Sequence, residues 1–234
     1  MAAYGFTTAV VPKHCQDPRI WNELVLRQKE FRLKALQLDP AAFGSTYEHE
    51  EQYPLELWAN RLKNPKVITL VALDGPAVEV RSETSDPDAA AAEILRHEWL
   101  GSLRLVGVEK EDEAHLLATG SPWGSEARKD EGQKEAFGSD AVPRYHLSGM
   151  FVVPAARGRG IGKKLIEDAI SHSSRAGRVR YTIMVDADNV PATSLYSKLG
   201  FQILDEWEYE RIKTSDQTQP IMKVCRYMDF FAGA

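Results

Sequence analysis

Apolar positions along the chain switch repeatedly between a period of two and a helical period, and the switches outline the elements. Thr7 to Val11 is a β-branched run ended by Pro12 and reads as a first strand. Asp17-Pro18 supplies an N-cap and a proline at the first helical position. Ile20, Trp21, Leu24, Gln28, Phe31 and Ala35 then share one helix face, and the helix must stop before Pro40. Pro40 to Tyr47 is a turn with two aromatic residues, and a second helix runs from Pro54 through Leu57, Trp58 and Leu62 to about Asn64-Pro65. Lys66 to Leu73 is a strand and Asp74-Gly75-Pro76 a turn. Val78 to Glu93, alanine-rich and charged with Pro87 inside it, reads as a loop with at most one helical turn. Trp99 to Val108 is the next strand, with glycines that suit a bulge.

The second half is patterned more sharply. Tyr145 to Val153 is a buried strand stopped by Pro154. Ile161, Leu165, Ile166, Ala169 and Ile170 recur at helical spacing, with Gly177 as a stop. Val179 to Val185 is another buried strand, and Asn189 caps a short helix from Val190 to Leu199 that Gly200 closes. Phe201 to Trp207 and Ile221 to Met228 pair as two last strands. Strands interleaved with helices and ending in a hairpin predict an α/β fold in three layers (α/β/α) around a mixed sheet. A single domain over residues 1–234 is expected, with polar insertions around 75–97 and 109–143.

Composition changes this picture mainly by exclusion. A hydrophobic fraction of 43% with 27% charged residues suits a globular chain that buries a real core. The net charge of -5 argues against nucleic acid as a partner, which calls for a basic face. No apolar run is long enough to cross a bilayer, and the N-terminus has no basic stretch ahead of its apolar residues, so a cytoplasmic protein without membrane partners is expected. Cys15 and Cys225 lie far apart and the six histidines are scattered, so no metal site is expected. Glu48, Glu50 and Glu51 read as a solvated acidic face, with a mouth for a cationic amine as the sharper alternative.

The candidate chemistry lies between the strand at 145–153 and the helix that follows it. Arg157, Gly158, Arg159, Gly160, Ile161, Gly162 and Lys163 form a basic glycine-rich turn opening into a helix. Free N–H groups and the positive helix end point into such a turn, and glycine lets a phosphate approach the backbone. The glycines fall as G-x-G-x-G, not as the Rossmann G-x-G-x-x-G, and no hydroxyl follows Gly162-Lys163 as in a Walker loop. Arg157 to Gly162 instead resembles the R-x-x-G-x-G signature of the GCN5-related N-acetyltransferases. Asn189 to Phe201, NVPATSLYSKLGF, is similar to that family's N-x-x-A-x-x-L-Y-x-x-x-G-F block and stands one strand later, in the family's order. The element order extends the resemblance from about Thr7 to Tyr227.

The resemblance implies a mostly antiparallel central sheet and acetyl-CoA as cosubstrate. It also implies a small amine or peptide amine as acceptor, no metal, and a monomer or homodimer. Carried over residue by residue, Gly158 to Lys163 with Arg157 would hold the pyrophosphate. Met150, Phe151 and Val152 would pair their backbone with the pantetheine arm and polarise the thioester carbonyl, and Asn189 would lie near the pantetheine. Tyr196 matches the tyrosine that protonates the departing sulfur, a role that suits a phenol of pKa near 10. For the base the family often uses a glutamate on the core strand or the next one. Here His146 stands on the core strand, and Glu98, Tyr145, Asp186 or a water chain are the alternatives. An acyl-CoA-binding sensor without turnover is the competing reading.

Overall fold

The computed structural model describes residues 5–75, 86–108, 142–174, 177–211 and 221–233. Seven strands are hydrogen-bonded in the order β1-β2-β3-β4-β5-β7-β6. They are β1 (Phe6–Val10), β2 (Val67–Asp74), β3 (Trp99–Val108), β4 (Arg144–Val152), β5 (Val179–Asp186), β6 (Gln202–Arg211) and β7 (Ile221–Ala232). The sheet is mixed: β4 and β5 are parallel, whereas β1–β2, β5–β7 and β6–β7 are antiparallel. The chain divides into two compact units, one within residues 5–105 and 148–173, the other within 106–147, 174–211 and 221–233.

In the first unit the helices start where short-range chemistry places them. Helix α1 (Pro18–Leu38) begins at Asp17, whose Oδ1 accepts from the Arg19 N–H at 2.7 Å, and it buries Leu24, Val25, Gln28, Phe31, Ala35 and Leu36. A one-turn helix α2 (Tyr47–Glu50), capped by Thr46, follows, then α3 (Leu55–Lys63), which buries Trp58 and Leu62. Helix α4 (Pro87–Arg96) stands where the sequence reads as a loop. Its start repeats the Asp-Pro device of α1. Asp86 accepts from Asp88 and Ala89 N–H groups at 3.0 and 3.1 Å, and Ala91 and Ile94 are buried. Charge and proline hid it, yet proline is favourable at a first helical position. Asp88 in turn accepts from the backbone of Gln16 and Asp17, tying α4 to the start of α1. Helix α5 (Ile161–Ser173) packs on β1 and β2 and buries Ile161, Leu165, Ile166 and Ala169. Gly101 is required by that packing, since a Cβ there would meet Phe151 O at 3.0 Å and Ile161 and Leu165 at 3.2 Å.

In the second unit β5 is buried along nearly its whole length, as a strand between two neighbours should be. Strand β7 pairs with it from Val179↔Ala232 to Asp186↔Cys225. Strand β6 lies outside β7, with a register shift between Ile203 and Asp205. Its exposed positions include Glu206, Glu208 and Glu210, charges that discourage edge-to-edge pairing. Helix α6 (Val190–Lys198) is capped by Asn189. Arg180 and Asp229 form a buried ion pair at 3.0 Å. The insertion expected at 109–143 lies almost wholly outside the described residues, as do residues 76–85 of the other.

Candidate functional site

The glycine turn of the first unit leaves β4 at Val152, passes a single 3-10 turn over Pro154–Ala156 and enters α5 at Ile161. Gly158 and Gly160 have φ of 78° and 85°, values that side chains avoid, and a Cβ on either would meet nothing within 4 Å. These glycines therefore satisfy a backbone shape and leave open space beside it. The first N–H groups of α5 have no helical acceptor, as at any helix start. Together they present main-chain walls of the shape expected of an anion cradle.

The flanking cations are arranged otherwise than a phosphate clamp needs. Arg157 donates from Nε to Val152 O at 3.0 Å and pairs through Nη2 with Asp39 at 2.9 Å. Arg159 donates to Gly5 O at 2.9 Å and lies 3.5 Å from Asp74. Lys163 is exposed, 3.5 Å from Glu167 one turn on, and Lys164 pairs with Asp168, which also accepts from Thr8. The arginines thus brace the turn against the rest of its unit. On β4, Phe151 is buried against Phe31 and Phe43, with ring centroids 5.8 and 6.3 Å apart, and Met150 and Val152 are half-buried.

The other sequence-derived candidates, Glu98 excepted, belong to the second unit. His146 is buried, its Nδ1 is 3.0 Å from Thr182 Oγ1, and burial pulls its pKa down to about 4. At neutral pH the ring is uncharged. Tyr196 is buried with its ring 5.8 Å from Phe201, and burial pushes its phenol well above the usual tyrosine value. Asn189 uses Oδ1 to accept the Ala192 N–H at 3.2 Å. Asp186, one of the alternative bases, accepts from Tyr209 OH at 2.7 Å and Arg211 at 2.6 Å. Glu98, another alternative, is exposed in the first unit, and Tyr145 stacks on Tyr181 at 5.9 Å.

One site in the first unit is absent from the sequence reading. Gln28, Phe31 and Arg32 of α1, Trp58 and Arg61 of α3, Thr69 of β2, Trp99, Ser102 and Arg104 of β3, and Gly149 of β4 enclose a recess of about 30 Å3. Glu50 stands behind it, 2% exposed, held by Arg32 at 2.7 Å and Arg61 at 2.9 Å. Desolvation opposes its charge, but the two guanidinium groups overcome that and pull its pKa to about 2. The solvated reading is thus corrected for Glu50, while Glu48 and Glu51 are exposed as expected. Neither does Glu50 offer a cationic amine a free carboxylate. Two signals pointed here: Gln28 on an apolar helix face, and Arg104 inside an apolar strand.

Among the described residues no cluster of histidine, cysteine, aspartate and glutamate has metal-binding geometry, and no helix is long and apolar enough to cross a membrane. Residues 34–201 match the acetyltransferase (GNAT) family. A mycothiol acetyltransferase of Nocardioides sp. (strain ATCC BAA-499 / JS614) is 28% identical over 188 residues, covering 71% of this chain and 64% of that protein. The chain thus spans less than two thirds of that relative. The peptidyl-lysine N-acetyltransferase YjaB of Salmonella typhimurium is 31% identical over 78 residues, 33% of this chain and 50% of that one. Among solved structures, Arabidopsis thaliana NAA60 in complex with acetyl-CoA shares the fold with a TM-score of 0.51 at 17% identity, covering 97% of this chain and 98% of that one.

Proposed function

Since this chain belongs to the acetyltransferase (GNAT) family, we propose that it moves the acetyl group of acetyl-CoA to a primary amine by direct attack in a ternary complex. The observation that carries the reading is the main-chain cradle at Gly158 and Gly160, open where a Cβ would stand and set between β4 and the start of α5. A pyrophosphate fits there because the donors are N–H groups and the approach needs no side chain to move. Arg157 and Arg159 serve by bracing the turn, with Lys163 as the cation left at its mouth.

In the reaction the amine nitrogen forms a bond to the thioester carbonyl carbon, the C–S bond breaks, and the thiolate takes up a proton. A main-chain N–H of Met150, Phe151 or Val152 polarises the carbonyl, a donor that needs no reorganisation as charge develops. Tyr196 is the proton donor to sulfur. Burial keeps its phenol protonated at neutral pH, and the same burial weakens it as an acid toward an alkyl thiolate. His146 is the candidate base, unprotonated at pH 7, but the burial that keeps it neutral also weakens it. Asn189 acts by capping α6, the helix that carries Tyr196.

Calorimetric titration with acetyl-CoA, followed by thiol release with a panel of amines, tests the assignment. Binding with release is the expected result. Binding without release on any amine would leave an acyl-CoA-binding module, and absence of binding would remove the cradle assignment.

A further inference from the structure

Arg104 is a charged residue in a strand whose neighbours Leu103, Leu105 and Val106 are all buried. Its guanidinium passes over the bare Gly149, where a Cβ would come within 3.2 Å of Nε and Nη2. Among the described residues no carboxylate bonds it, and its polar contact is Ser148 Oγ at 3.4 Å. Arg32 and Arg61 face the same recess. Burial, then these two cations, lower the Arg104 pKa to about 9, which still leaves its guanidinium charged at neutral pH. Glu50 neutralises one of the three. The recess therefore carries an excess of positive charge that the described residues leave uncompensated.

Hydrogen-bonding capacity is in excess at the same place. Four residues that line the recess each carry a buried polar atom without a protein partner: Arg32 Nη1, Trp58 Nε1, Trp99 Nε1 and Gln28 Oε1. Trp58 and Trp99 are only 1% and 2% exposed. A buried donor without an acceptor is destabilising, so three together are out of place in a purely structural core. Three of the four atoms are N–H donors, and rotation of the Gln28 amide would turn an N–H inward as well. Donors and positive charge converging on one cavity call for an oxyanion. A planar carboxylate suits the recess, because it can take paired donors from one guanidinium.

We propose that this recess binds the carboxylate of the acetyl acceptor, and that the acceptors are small amino acids. The inference rests on the acetyltransferase reading for the transfer, though the anion site stands without it. Gly149 lines the recess and is followed directly by Met150–Val152, the backbone assigned to the thioester. A carboxylate held at Arg104 therefore puts an amine a few bonds away beside that strand. Glu50 fixes Arg32 and Arg61 in place and is a positioning residue.

Trp58 and Trp99 line the recess, so tryptophan fluorescence reads occupancy without acetyl-CoA. Glycine, β-alanine and 4-aminobutyrate are titrated beside their carboxamides, and the same compounds serve as acceptors in the thiol-release assay. Each acid should bind about ten-fold or more tightly than its amide and be acetylated with a kcat/KM higher by a similar factor. Both preferences should vanish in Arg104→Gln, and Arg104→Lys should keep part of the binding. The melting temperature of Arg104→Gln should not fall, because the change removes a charge repelled by Arg32 and Arg61. A structural arginine would behave oppositely. Acids that bind without being acetylated would uphold the anion site and remove the transfer reading. Acids and amides acetylated alike, or cationic amines alone, would uphold transfer and overturn the carboxylate site. A preference that survives Arg104→Gln, or no response to any acid, would likewise overturn the carboxylate site.

Discussion

Replacing Glu50 by glutamine removes one charge from a site built on three guanidinium groups, and its cost follows from the carboxylate's environment. The folded pKa is about 2 against an ordinary 4.5, held down by Arg32 and Arg61 despite the desolvation that raises it. A carboxylate whose pKa is depressed on folding contributes stability that is present above its unfolded pKa and lost as pH falls through the folded one. The two values correspond to about 3 kcal/mol at pH 7, shrinking to less than half of that near pH 3. Glutamine keeps the shape and one acceptor oxygen, so the loss should be electrostatic. Urea unfolding of both proteins at pH 7, 5, 4 and 3, followed by circular dichroism, measures it. The expected gap is about 3 kcal/mol and constant from pH 7 to 5, then less than half of that by pH 3. A gap under about 1 kcal/mol at pH 7, or one that does not change below pH 5, would refute the argument. It would mean that water relieves Arg32 and Arg61 as well as the carboxylate does.

Gly160→Val should weaken acetyl-CoA binding by about ten-fold or more in calorimetry and cost about 1–2 kcal/mol of stability, because φ is 85° and the new side chain fills the anion's space. Unchanged affinity would remove the pyrophosphate assignment. Tyr196→Phe should lower kcat by about ten- to a hundred-fold while acetyl-CoA affinity stays within about two-fold, since the phenol acts on the leaving group. A wild-type rate would mean the thiolate departs unassisted. Asp229→Asn should cost about 3–5 kcal/mol in chemical denaturation by removing the carboxylate that pairs with the buried Arg180, with a loss below about 1 kcal/mol counting against a structural ion pair.

Much of the architecture was legible because its signals are short. Asp17-Pro18 and Asn189-Val190-Pro191 announce helix starts through a side chain and the next two or three N–H groups, and both helices begin there. The same signal at Asp86-Pro87 lay in plain view and was outweighed by surrounding charge, although α4 buries only Ala91 and Ile94 and needs little apolar periodicity. The order β5-β7-β6 was not readable, because insertion of the last strand between two earlier ones is a matter of pairing at a distance. Arg157 and Arg159 were legible as charges but not as braces, since Asp39, Asp74 and Gly5 are brought to them by the fold.

By itself, the sequence determined the strand, glycine turn and helix from Met150 to Ala169, the capped helix bearing Tyr196, and through those two motifs the family. Each depends on neighbours a few residues apart, and backbone shape at that range is written in glycine, proline and capping residues. Only the tertiary structure decided the charge of the recess. Gln28, Arg32, Glu50, Trp58, Arg61, Trp99, Arg104 and Gly149 come from five elements, and their meaning depends on which charges face one another. Three glutamates close together in sequence read as a solvated acidic face, with an acidic mouth as the alternative. Two arginines brought in from other helices cancel the one that is buried, and a third, on a strand, reverses the sign.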